Sequence, residues 1–139
     1  MEHQEVVMKG GRESIRRAGN EVLRPLNPWT PKVHEFLRYL EAKGFHKAPR
    51  VIRIDNQTEV LSWVEGTSSN YPLTGEFASL EALQSAARLL REYHDVAKEY
   101  VTNASPDGWM LPAASPAEVM CHATLRLTML FSMVLKPQA

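Results

Sequence analysis

The chain has 139 residues, enough for one domain, and its 44% apolar and 23% charged residues are the balance of an ordinary soluble globular protein. Sixteen basic and sixteen acidic residues cancel, so no global field draws nucleic acid or anionic lipid, and neither is expected as a partner. The single cysteine, Cys121, excludes an internal disulfide and suits a reducing compartment. The polar, acidic start from Met1 to Glu5 is not a signal peptide, and no apolar run reaches the roughly eighteen residues of a membrane span, so a cytoplasmic chain is expected.

In chain order, Glu5 to Met8 reads as an edge strand, Lys9-Gly10-Gly11-Arg12 as a turn, and Ser14 to Arg17 as a second strand. Ala18-Gly19-Asn20 tolerates the positive φ of another tight turn, and Glu21 to Arg24 is a third strand stopped by Pro25. Together these make an antiparallel meander. Gly10 and Gly11 between two cations form either a solvated hairpin turn or a cradle for a phosphate. Arg24, at the end of an apolar strand, either lies on the surface or reaches across the sheet to a ligand phosphate or a helix carboxylate.

Thr30-Pro31 supplies an N-cap oxygen and a preset first helical residue. Val33, Phe36, Leu37 and Leu40 follow at helical spacing, and Gly44 ends the helix. His34 and Glu35 near its start face either the sheet and Arg24 or water. Ala48 to Ile54 alternates Arg with aliphatic residues as a fourth strand, and Asp55-Asn56 turns it into the stretch from Thr58 to Gly66. Val60, Leu61, Trp63 and Val64 make that stretch a strand buried on both faces, and the composition changes class after it. It reads as the hinge of a two-lobed α+β protein.

Thr67 to Phe77 is a connecting loop. Ser79 then caps the longest helix, with Glu81 in its first turn. Leu83, Ala87, Leu90, His94, Ala97 and Val101 form a stripe that Ala86, Leu89, Tyr93, Val96 and Tyr100 widen, a breadth that implies burial on more than one side. His94 within it is a hydrogen-bonded core histidine or a ligand. Asn103 to Pro116 is a loop around Trp109, and Ala117 to His122 is a short strand or turn. On a strand Cys121 and His122 would point to opposite faces, so they form no nucleophile and base pair.

The ordered set of strand meander, Arg24, helix, two strands, the Leu61-Ser62-Trp63-Val64-Glu65-Gly66 hinge, the long helix with Leu89-Leu90-Arg91-Glu92-Tyr93-His94, and Glu118-Val119-Met120-Cys121-His122 resembles the aminoglycoside phosphotransferase family. The resemblance implies a protein-kinase-like N-terminal lobe over residues 1–66, an incomplete helical lobe over 67–122, and ATP- and Mg²⁺-dependent phosphoryl transfer to a small-molecule hydroxyl. It implies that Ser62, Trp63, Val64 and Glu65 face the adenine, and that Arg24, where the family usually has Lys, stands near the phosphates. Glu35 is the expected helix carboxylate for that cation, with His34 or Val33 as alternatives of register.

By the same resemblance, His122 should precede Gly-Asp and then Asn, the base and the metal ligand. Thr124 and Met129 stand there instead, and neither a hydroxyl nor a thioether suits those tasks. Permitted codons for residues 123–133, preceded by one added G, read Gly-Asp-Phe-Ala-Pro-Tyr-Asn-Val-Val-Phe-Asn. A lost nucleotide after His122 is therefore expected, with residues 123–139 out of frame, no intact catalytic residue, weak or no ATP binding, and an exposed helix face prone to self-association. The alternatives are a genuine amphipathic tail and a non-catalytic nucleotide-binding or protein-interaction module.

Overall fold

The computed structural model describes residues 5–7, 15–66, 72–113 and 120. Its elements are β1 (Val6–Val7), β2 (Arg16–Ala18), β3 (Glu21–Pro25), α1 (Thr30–Ala42), β4 (Val51–Asp55), β5 (Thr58–Ser62), a 3₁₀ turn at Gly75–Ala78 and α2 (Leu80–Asn103). The class is α+β, as expected. Two compact units divide the chain: Met1–Trp63 with Pro106–Ala113, and Val64–Ser105 with Ala114–Ala139.

All five strands are in the first unit and form one antiparallel sheet in the order β1-β2-β3-β5-β4. Gly19, at φ 60°, closes the β2–β3 turn, a backbone conformation that costs glycine no steric penalty. The meander is thus present. β5 then leaves the chain order and lies between β3 and β4, which puts it in the middle of the sheet's apolar half. Glu59, Val60 and Leu61 are all buried, as a strand covered on both faces must be. Regular pairing ends at Ser62, so the strand is shorter than the Thr58 to Gly66 expected.

α1 starts one residue earlier than its sequence suggests. Trp29 is the N-cap and contributes no side-chain bond. The Thr30 hydroxyl instead accepts the Asn27 N–H (2.9 Å), while the Thr30 N–H donates to the Asn27 carbonyl (3.0 Å). This reciprocal pair fixes the turn between β3 and α1, which explains why a buried threonine stands there rather than a capping one. At the other end Gly44, at φ 80°, donates to the Glu41 carbonyl and the Phe45 N–H donates to the Leu40 carbonyl. That is a Schellman closure, and it turns Phe45 back into the core beside Phe36 and Leu40, all three buried.

In the second unit the Ser79 hydroxyl accepts the Ala82 N–H at 3.1 Å and donates to the Glu76 carbonyl at 2.7 Å, so it both caps α2 and ties the 3₁₀ turn to it. Ser79→Ala is expected to lower stability by about 1 kcal/mol, read from a urea denaturation curve. The buried residues of α2 are Ala82, Ala86, Leu89, Ala97 and Tyr100, whereas Leu83 is half exposed. The expected double stripe is therefore one stripe centred on Ala86 and Leu89, because a straight helix at 3.6 residues per turn carries Leu83 and Ala87 round to the far side. Among the described residues no helix is long and apolar enough to cross a membrane.

Candidate functional site

Register brings the site together. β3 pairs with β5 so that Arg24 lies opposite Glu59, and cross-strand partners on one face are within reach of each other. The Arg24 Nε donates to Glu59 Oε1 at 2.6 Å, and Nη2 makes an ion-pair contact with the same oxygen at 2.6 Å. His34, in the first turns of α1, donates from Nε2 to Glu59 Oε2 at 2.5 Å. The His34 and Glu59 side chains are 3% and 4% exposed, and that of Arg24 is 37%.

A carboxylate taken out of water costs several kcal/mol unless its oxygens are satisfied, and here each oxygen holds a donor. The chain of bonds runs from the core outward, from His34 through Glu59 to Arg24. Its effect is to fix a guanidinium by two of its nitrogens at the edge of the buried region, leaving Nη1 as a further donor.

Beside it lies a cavity of about 300 Å³ lined by Ile15, Arg24, Pro25, Asn27, Trp29, Thr30, Val33, Glu59 and Met110. All of these belong to the first unit. The walls are apolar apart from the Arg24–Glu59 pair and the Asn27–Thr30 turn, a lining that suits a ligand with an apolar body and one charged or polar group. Trp109, next to Met110, packs edge-on against Phe36 with ring centroids 6.2 Å apart, so the loop indole is a packing residue.

The other site residues read from sequence divide as follows. Glu35 does not meet Arg24: it is exposed, and its carboxylate accepts Lys32 Nζ at 3.1 Å. One residue earlier on the helix, His34 points to the sheet instead, a difference of about 100° around the helix axis. Ser62 is held in the ladder, its Oγ accepting the Arg50 N–H at 2.7 Å. Trp63 carries the Arg17 guanidinium 3.9 Å from its ring centroid, and its buried Nε1 has no partner among the described residues. Val64 is half-buried and Glu65 exposed. None of Ser62, Trp63, Val64 and Glu65 lines the cavity. His94 is half-buried, its ring 5.6 Å from that of Tyr93. Among the described residues no group of three or more His, Cys, Asp or Glu is placed to hold a metal ion. Gly10, Gly11, Cys121, His122, Thr124, Met129 and the tail 123–139 lie outside the described residues.

Glu59 is the residue that sequence reading missed. The signal was present: a lone acid between Thr58 and the apolar Val60-Leu61 pair has no place in a buried strand without a cation opposite it.

The architecture so defined is an α+β chain whose sheet and helix hold a buried histidine and glutamate and a partly exposed arginine beside a small cavity. Among curated proteins it is similar to the trifolitoxin immunity protein of Rhizobium leguminosarum bv. trifolii, 34% identical over 94 residues, which is 66% of this chain and 34% of the relative. The chain thus spans about a third of the length of the curated relative it matches. No family model matches the chain. No solved structure matches it.

These findings correct the expected membership of the aminoglycoside phosphotransferases. The relative is named for immunity to a toxin and not for phosphoryl transfer, and no kinase-like family or structure matches. The readings built on that membership, an ATP-dependent transferase cut short by a lost nucleotide, are set aside with it. The physical reason is that short antiparallel strands followed by helices recur in many α+β folds, so their order alone does not carry a chemistry.

Proposed function

We propose that the chain acts as an immunity-type protein, protecting cells from a toxin related to trifolitoxin, and that the cavity beside Arg24 holds the ligand through which it does so. The observation that carries the first part is the 34% identity over 94 residues to a protein named for that immunity. What supports the second is the fixed Arg24 guanidinium at the cavity wall, with two nitrogens on Glu59 and one further donor. A guanidinium held in this way recognises a carboxylate or another planar anion at little cost in side-chain freedom. Pro25, Trp29, Val33 and Met110 then receive the apolar remainder.

The test is survival. Cells sensitive to trifolitoxin that express this chain should grow at toxin concentrations that stop the parent cells. Arg24→Lys keeps the charge facing Glu59 but loses the planar fork, so the variant should remain folded and protect less well. Wild-type chain that is folded in the cell and gives no protection would refute the immunity reading, and full protection by Arg24→Lys would refute the part assigned to the cavity.

A further inference from the structure

We propose that β4 is a self-complementary edge through which two copies of this chain pair as a two-fold dimer. Among the described residues β4 has β5 on one side and no strand on the other. The direction of its free backbone groups follows from the ladder. The Ser62 N–H donates toward β4, to the Arg50 carbonyl, and the Trp63 N–H donates toward β3, to the Asn20 carbonyl. Even-numbered residues of β5 therefore bond to β4 and odd-numbered ones to β3. Ile54 stands opposite Glu59, an odd-numbered residue, so the Ile54 N–H and C=O point away from β5 toward the open edge.

Edge strands usually carry a device against such pairing, such as lysine, proline or a bulge. Val51–Asp55 has neither lysine nor proline, and its register shift falls between Val51 and Arg53, leaving Arg53 to Asp55 regular. Arg53 does not guard the edge. Its Nη1 and Nη2 reach back across β5 to Glu21 on β3, at 2.6 and 2.9 Å, and its Nε donates to Asp55 at 2.6 Å. Ile52 and Ile54 are 44% and 52% exposed.

Antiparallel pairing centred on Ile54 places Ile54 against Ile54 of the second copy, where the two exchange both backbone hydrogen bonds. It sets Arg53 opposite Asp55 of the second copy, and by the two-fold axis Asp55 opposite the other Arg53. The charge pattern thus complements itself in this register. Pairing centred one residue earlier would set Arg53 against Arg53, like charges directly opposed. The contact is short, so the dimer is a weak one that forms at high protein concentration.

Sedimentation velocity of the 139-residue chain over a wide concentration range tests this, using wild type, Ile54→Lys and Ile54→Asp. Position 54 is exposed, and circular dichroism confirms that each variant keeps its fold. Wild type should shift from monomer to dimer as concentration rises, and each variant alone should associate about tenfold or more weakly, since it opposes like charges across the axis. An equimolar mixture of the two variants should regain association, because Lys then faces Asp. A wild type that stays monomeric overturns the proposal. So does association that both variants retain, which would place the contact at β1 or on the exposed Leu80 and Leu83 of α2, and so does a mixture no more associated than its components.

Discussion

Replacing Glu59 with alanine should destabilise the folded chain by about 3–5 kcal/mol, the cost of removing one member of a buried charged group and leaving its partners without an acceptor. His34 is the partner that suffers most, since its ring is buried and Glu59 accepts its Nε2 proton. Arg24 is partly solvated and recovers some hydration. Glu59→Gln keeps the shape and one acceptor oxygen and should cost less than the alanine variant. Equilibrium urea denaturation of the two variants and wild type reads the order directly. A loss below about 1 kcal/mol for alanine would mean that the three side chains do not form a coupled buried unit.

Leu40→Ala is expected to cost about 2–5 kcal/mol by the lost transfer free energy and the void left behind. Leu40 and Val60 are the largest fully buried side chains among the described residues. The surrounding structure relaxes only partly around such a void, so the effect should fall within that range. The same denaturation experiment measures it. Because small domains have a total stability of about 5–15 kcal/mol, either substitution removes a large fraction of it.

Much of the sheet and both helices was legible in the sequence, for reasons that stay local. Gly19 and Gly44 occupy positive-φ positions where other residues are strained, Ser79 sits where a cap is needed, and β-branched runs mark β4 and β5. What was not legible depends on partners distant in sequence. The placement of β5 between β3 and β4 is a matter of topology, and it alone brings Arg24 to Glu59, 35 residues away. The choice of His34 over Glu35 as the inward residue turns on how α1 docks on the sheet, where Glu59 of β5 receives His34. Thr30 itself, a capping residue by type, is engaged by Asn27 instead.

Function was less legible than fold. The Leu61 to Gly66 stretch and the ordered elements around it suggested one chemistry, yet Ser62 serves the ladder and Trp63 serves Arg17. Short polar and aromatic residues at a strand end have structural uses as common as their ligand-binding ones. A lone charged residue in a buried strand, as at Glu59, is the more specific clue, because an unpaired carboxylate there is not tolerated.

The most direct test of the immunity reading is an exchange of segments. The 94-residue stretch of the trifolitoxin immunity protein that matches this chain is replaced by the matching stretch of this chain, and cells carrying the chimera are challenged with trifolitoxin. The account predicts that the chimera protects them. A chimera that accumulates in folded form and leaves the cells as sensitive as those lacking any immunity protein would contradict it.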